Sequence, residues 1–87
     1  MSCTFIDLHP DGIFQKEIQT RITVKCDLCE SLNQHGLSID LIGDIIVIDQ
    51  KKLGKRSCNN IRCPGNYQLN IPPEQFPPEK FPFIKFI

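Results

Sequence analysis

Four cysteines carry the clearest chemistry in this sequence. They form two close pairs, Cys26-x2-Cys29 and Cys58-x4-Cys63, with 28 residues between the pairs. Two thiolates on one tight turn can reach the same ion while backbone N–H groups point at the sulfurs, and a second pair completes a tetrahedral four-sulfur site. The spacing therefore predicts one metal centre that uses all four thiols.

Zinc is the expected ion, and an iron centre of the rubredoxin kind is the alternative. Rubredoxins have pairs at a similar separation, but they surround the metal with aromatic residues, and this chain has no Trp. Disulfides or free thiols are a further alternative. The first residues lack a basic segment followed by an apolar one, so we expect a cytoplasmic protein in a reducing compartment that disfavours disulfides.

The remaining candidate groups indicate a structural rather than a catalytic centre. Four thiolates leave no open position for a water or a substrate, which a catalytic zinc requires. No glycine-rich phosphate loop and no Ser/His/Asp arrangement is found. His35 can replace one ligand, although four thiolates suffice, and Cys3 is expected to be a small buried hydrophobic residue. We therefore predict that the protein is not an enzyme.

The elements that must position these cysteines read as strands. At 87 residues the chain fits one small domain whose core alone gives marginal stability, so a metal is a natural addition. Alternation over 18–26 predicts a strand with Ile18, Thr20, Ile22, Val24 and Cys26 on one face. A first hairpin is predicted over residues 3–25, with its turn at His9-Pro10-Asp11-Gly12.

Further strands are predicted downstream. A second hairpin over 38–49 turns at Gly43-Asp44, and its second arm, residues 45–48, is expected to be covered on both faces. Tyr67, Leu69 and Ile71 alternate with polar residues as in a strand. Residues 30–35 allow one helical turn. The predicted fold class is a small mostly-β domain of antiparallel hairpins clasped by a four-cysteine metal site.

Residues 72–87 differ in kind and are predicted to form an extended Pro/Phe-rich tail beside a domain of residues 1–71. Five of the seven prolines lie there, and they disfavour a helix or a central strand. Solvated linkers rarely carry so many aromatic residues. The tail is expected to pack on its own domain, on a second copy in a homo-oligomer, or on a larger partner protein. The candidate contact residues are Phe76, Phe81, Phe83 and Phe86.

In architecture the chain resembles a zinc-ribbon module, in which β-hairpins and two cysteine-pair knuckles hold one zinc ion. The resemblance covers residues 18–71 and rests on Cys26, Cys29, Cys58 and Cys63. The chain departs from it in the x4 spacing of the second pair. Zinc ribbons serve many functions, so the resemblance implies a structural zinc without fixing a role.

The distribution of charge and hydropathy limits the classes of function that this protein can have. The charges of ten basic and ten acidic side chains cancel, but they are segregated along the chain. Every charged side chain in residues 26–50 is acidic, and every charged side chain in residues 51–63 is basic. No apolar run approaches the roughly 20 residues that span a bilayer. We expect a small zinc protein acting as a protein-interaction or regulatory module. The second hypothesis is nucleic-acid binding through the basic segment, and the third is electron transfer through iron. The basic residues concerned are Lys51, Lys52, Lys55, Arg56 and Arg62.

Overall fold

The computed structural model describes residues 2–87 and has a mostly-β fold, which confirms the predicted fold class. Five strands form one curled sheet in the order β1-β2-β3-β4-β7, and two further strands form the separate ladder β5-β6. The strands are β1 (Cys3–Phe14), β2 (Glu17–Cys26), β3 (Leu32–Ile42), β4 (Ile45–Ile48), β5 (Lys55–Ser57), β6 (Asn66–Gln68) and β7 (Ile84–Phe86). The pairs in the large sheet are antiparallel except for β4 with β7, which is parallel.

The first hairpin turns later than the sequence predicts. Strand β1 continues through residues 9–12 without a turn, and the chain reverses at Gln15, which takes a left-handed φ of 58°. The predicted turn at His9-Pro10-Asp11-Gly12 is therefore wrong. Pro10 is tolerated because β1 is an edge strand, and the ladder shifts register between Pro10 and Gly12 as it does at a β-bulge.

Strand β2 confirms the predicted alternation and supplies the centre of the core. Ile18, Thr20, Ile22, Val24 and Cys26 are all buried, while Gln19 and Arg21 on the other face are exposed. Thr23, also on that other face, departs from the alternation because it is buried. Because β2 pairs with β1 on one side and β3 on the other, its inner face meets side chains from both. The strand ends at Cys26, so an interior strand of the sheet delivers the first sulfur.

Strands β3 and β4 form the predicted hairpin around Gly43, whose φ of 63° suits a two-residue turn. The predicted helical turn over 30–35 is wrong, because β3 already begins at Leu32. The inner face of β3 starts with two polar residues, Asn33 and His35, which hide the alternation from a hydropathy pattern. Only Ile48 of β4 is buried, and Ile45 is 44% exposed, so the expected cover on both faces is incomplete.

The chain then forms a 3-10 turn over Gln50–Lys52 and the short β5-β6 ladder. Tyr67, Leu69 and Ile71 are at most 1% exposed, as their alternation predicts. The side chain of Gln50 holds this segment in place, since its amide accepts from the N–H of Ile71 and donates to the carbonyl of Ile71. The ladder that carries the second cysteine pair is thereby fastened to the core.

The Pro/Phe-rich tail packs on its own sheet. A 3-10 turn over Pro73–Gln75 leads into an aromatic cluster in which Phe76 meets Phe5 and Phe81 edge to face. The tail ends in β7, which lies at the sheet edge beside β4. Among residues 2–87, no helix has the length and apolar character needed to cross a membrane.

Candidate metal centre

The structure brings the four predicted sulfurs together. The Sγ atoms of Cys26, Cys29, Cys58 and Cys63 all lie within 4.8 Å of one another. Cys29 and Cys58 are 3.5 Å apart, and Cys26 and Cys63 are 3.9 Å apart. An ion about 2.3 Å from four tetrahedral sulfurs holds them about 3.8 Å apart. The spacing thus fits one tetrahedral ion, and the arrangement is consistent with a zinc-ribbon-like module.

The first knuckle, residues 26–31, is a tight turn that follows β2. The Cys26 carbonyl accepts from the N–H of Glu30 at 2.7 Å, and the Cys26 N–H donates to the carbonyl of Ser31 at 2.9 Å. Glu30 takes a φ of 63°, which lets the chain reverse within a few residues. The turn leads directly into β3, so both sides of the knuckle are held by the sheet.

The second knuckle, residues 58–65, closes the β5-β6 ladder. The Cys58 N–H donates to the Gly65 carbonyl at 2.9 Å, and the Cys63 N–H donates to the Asn60 carbonyl at 3.0 Å. The Asn60 side chain also accepts from the N–H of Arg62. The four residues between the two cysteines are all exposed, and the Cys58 and Cys63 sulfurs lie within 4.8 Å of each other despite the longer x4 spacing.

Two polar side chains, one at the end of the first knuckle and one near the start of β3, contact the sulfurs. The Ser31 hydroxyl lies 2.9 Å from the Cys29 sulfur and 3.4 Å from the Cys58 sulfur. Asn33 is 2% exposed; its Nδ2 donates to the Cys58 sulfur at 3.5 Å and its Oδ1 accepts from the Asn59 N–H at 3.1 Å. Asn33 therefore joins the large sheet to the second knuckle.

Hydrogen bonds and mutual repulsion set the protonation of the cluster. The Ser31 hydroxyl, followed by the Ser31 backbone N–H, lowers the pKa of Cys29 to about 6. The Ser31 hydroxyl and the Asn60 N–H likewise lower the pKa of Cys58. The Gly65 N–H lowers the pKa of Cys63, but burial and the other cysteine sulfurs outweigh it and raise that pKa to about 12. The sulfurs can therefore all be ionised together only when a cation lies among them.

A buried histidine–tyrosine pair joins β3 to β6. His35 Nε2 and the Tyr67 hydroxyl are 2.6 Å apart, and the two rings meet edge to face. Burial, and next the charge of Arg56, hold the pKa of His35 below its usual range. His35 is thus engaged with Tyr67 and lies outside the four-sulfur cluster, contrary to its possible use as a ligand.

Sequence reasoning missed Ser31, Asn33 and the position of Cys3. Leu37 and Ile39 set a two-residue period, and continuing that period back along β3 is the signal that places Asn33 on the inner face of the strand. Cys3 is half-buried rather than buried; its thiol donates to the Gln68 carbonyl at 3.6 Å. Burial is the main cause that raises the pKa of Cys3.

The basic segment does not form an uninterrupted positive surface. Lys52 pairs with Asp40 at 3.4 Å, and Arg56 donates to the Gly36 carbonyl at 3.4 Å. Lys51 and Lys55 are exposed. Arg62 is also exposed and lies in the second knuckle, apart from the Lys52–Asp40 pair along the chain.

The candidate contact residues of the tail lie against the sheet to different degrees. Phe76 and Phe86 pack on the core cluster. Phe81 contacts Phe76 and Phe83, with ring centroids 5.2 Å and 6.0 Å away. Phe83 is 46% exposed and is the most accessible of the four. These rings therefore serve first as cover for the sheet.

Neither protein-family models nor curated proteins nor solved structures gave a match to this chain.

Proposed function

We propose that this chain is a small zinc-binding protein whose metal is structural and which acts as a non-catalytic protein-interaction or regulatory module. The proposal is carried by one observation, the convergence of four cysteine sulfurs within 4.8 Å from two separate knuckles. Tetrahedral four-sulfur sites select zinc or iron, whereas magnesium and calcium prefer oxygen ligands. Zinc is the preferred ion because it needs no redox partner.

A closed four-thiolate site supports a role in folding. The first knuckle belongs to the large sheet and the second to the β5-β6 ladder, so one ion cross-links the two sheets. In small domains the free energy of zinc binding is largely folding free energy. The ion therefore offsets the small size of the core and holds the exposed surface of both knuckles in one shape.

Exposed apolar side chains on the knuckles support a protein partner. Leu28 is 56% exposed in the first knuckle, Ile61 is 100% exposed in the second, and Leu32 is 65% exposed where β3 begins. All three lie within three residues of a candidate metal ligand in sequence, and we call them the knuckle patch. Apolar anchors surrounded by polar residues are typical of protein-binding surfaces.

Nucleic-acid binding through the basic segment ranks second. Phosphate contacts need free cationic groups, and Lys52 is already paired with Asp40. The apolar character of the knuckle patch favours a protein surface instead.

Metal analysis of the purified full-length protein tests the zinc proposal. We expect about one zinc per chain, no visible absorbance, and a tetrahedral thiolate spectrum after cobalt replaces zinc. A coloured oxidised protein containing iron would assign the centre to electron transfer. A metal-free protein that folds and keeps five reactive thiols would contradict the proposal.

A double variant, Leu28→Ser with Ile61→Ser, tests the interaction role. Both side chains are exposed, so we expect zinc content and stability to stay close to wild type while partner capture is lost. Ile42→Ser is the matched control, because Ile42 is 67% exposed but lies beside the β3–β4 turn. Equal loss of capture in the control would show that general surface hydrophobicity, rather than the knuckle patch, is responsible.

A further inference from the structure

Cys3 lies directly opposite a candidate metal ligand on the neighbouring strand. The first pair of the β1–β2 ladder is Cys3 with Cys26, and residues opposite each other in antiparallel strands project from the same face. Neither cysteine is part of a disulfide. The chain therefore holds a fifth thiol next to the four-sulfur cluster, at a position the metal does not require.

The ladder hydrogen bonds show which kind of pair this is. The Asp27 N–H donates to the Ser2 carbonyl at 3.4 Å, so the bond links the residues that flank the two cysteines. Cys3 and Cys26 are thus a non-hydrogen-bonded pair, in which Cα atoms are about 4.5 Å apart and side chains approach most closely. A disulfide accepts Cα separations of roughly 4.4–6.8 Å. Bridging this pair needs only side-chain rotation and small backbone adjustment.

The two thiols differ in accessibility. Cys26 is 0% exposed, whereas Cys3 is half-buried in the terminal pair of the edge strand. Of these two thiols, Cys3 is the one that a small oxidant reaches first. Thr4, the next residue along β1, is exposed and lies opposite Lys25 on the other face.

We propose that Cys3 is a redox-reactive modification site, and that a peroxide converts Cys3 and Cys26 into a cross-strand disulfide that removes Cys26 from the metal. The Cys3 thiolate attacks the peroxide, the O–O bond breaks, and Cys3 becomes a sulfenic acid as hydroxide leaves. The Cys26 thiolate then attacks the sulfenic sulfur; the S–S bond forms, the S–O bond breaks, and a second hydroxide leaves. Two electrons pass from the two sulfurs to the peroxide.

The consequence for the metal rests on the proposed function, whereas the disulfide itself does not. Once Cys26 is bonded to Cys3, only three thiolates remain for zinc, and the ion is released. Reduction of the disulfide restores the fourth ligand. Other pairs are close enough to compete, since Cys29 and Cys58 sulfurs are 3.5 Å apart. In our proposal the first disulfide that forms contains Cys3, whereas a disulfide within the four-sulfur cluster would not.

The test treats the full-length zinc protein with hydrogen peroxide at slightly alkaline pH. Zinc release is followed with a chromogenic chelator, and disulfides are mapped by peptide mass spectrometry without reduction. We expect a peptide linking Cys3 to Cys26, zinc release in parallel, and recovery of zinc binding after thiol reduction. In Cys3→Ser, and in Cys3→Ala as a second replacement, we expect zinc release to be about tenfold slower.

A matched control variant keeps five thiols but moves the one outside the four-sulfur cluster from position 3 to position 4. Cys3→Ser combined with Thr4→Cys places that thiol on the opposite face, and we expect it to behave like Cys3→Ser. Wild-type release rates in the Cys3 variants, or a first disulfide that excludes Cys3, would overturn the proposal. A protein that contains no zinc but still forms the Cys3–Cys26 bond would refute the proposed function and leave the modification site standing.

Discussion

Replacing Asn33 by alanine tests whether a buried amide holds the metal centre together. The change removes the donor to the Cys58 sulfur and the acceptor for the Asn59 N–H, at 3.5 Å and 3.1 Å respectively. Loss of a group that orients a metal ligand lowers affinity about 10–100-fold, or about 1.4–2.7 kcal/mol. Competitive titration against a zinc chelator of known affinity measures this loss.

Asn33→Asp separates packing from hydrogen bonding. The carboxylate has nearly the same shape and still accepts from the Asn59 N–H, but it offers no donor and sets a negative charge beside the Cys58 sulfur. We expect weaker zinc binding in Asn33→Asp than in Asn33→Ala. Gln34→Ala is the control, because Gln34 is exposed on the same strand, and we expect a change within about 0.5 kcal/mol. Wild-type zinc affinity in Asn33→Asp would refute the reasoning.

Three further predictions concern the metal, the buried pair and the tail. Cys58→Ser should leave the protein largely unfolded by circular dichroism, since structural zinc supplies about 10–16 kcal/mol in small zinc fingers; a cooperative thermal transition in that variant would contradict this. Tyr67→Phe leaves His35 without its partner and should cost about 1–3 kcal/mol in urea unfolding. The pKa of His35 is lowered in the folded state, so the free energy of unfolding should fall as the pH drops below about 6.5 and level off below the folded pKa. In His35→Gln the free energy of unfolding should depend less on pH. The same pH dependence in His35→Gln and wild type would refute this. Phe76→Ala should lower the melting temperature, because Phe76 joins the tail to Phe5 and to the core; an unchanged melting temperature would show that the tail adds no stability.

The cysteine spacing was sufficient to predict which sulfurs come together. A C-x2-C pair constrains its own turn, so little else in the fold can move those two thiols apart. The second pair has four intervening residues, and its geometry depends on local bonds such as that from Cys63 to Asn60. Those hydrogen bonds form only in the folded loop, so they cannot be predicted from the spacing of the two cysteines.

Local sequence preferences fail as predictors where tertiary context outweighs them. Pro10 and Gly12 normally indicate a turn, but an edge strand can accommodate them at a bulge, and position in the sheet is unknown from sequence. The true turn uses Gln15 in a left-handed conformation that glutamine rarely adopts. The role of Asn33 does not follow from hydropathy, because a buried polar residue interrupts the hydrophobic pattern that identifies a strand.

The parallel pairing of β4 with β7 has a consequence for how the protein is made. Ile46 pairs with Ile84, thirty-eight residues later in the chain. At translation rates of about 5–20 residues per second, the β4 edge waits roughly 2–8 s for its neighbour. During that interval an isoleucine-rich edge has no strand beside it. An unpaired strand edge is a template for pairing with another chain, so the protein is open to edge-to-edge association until β7 pairs with β4.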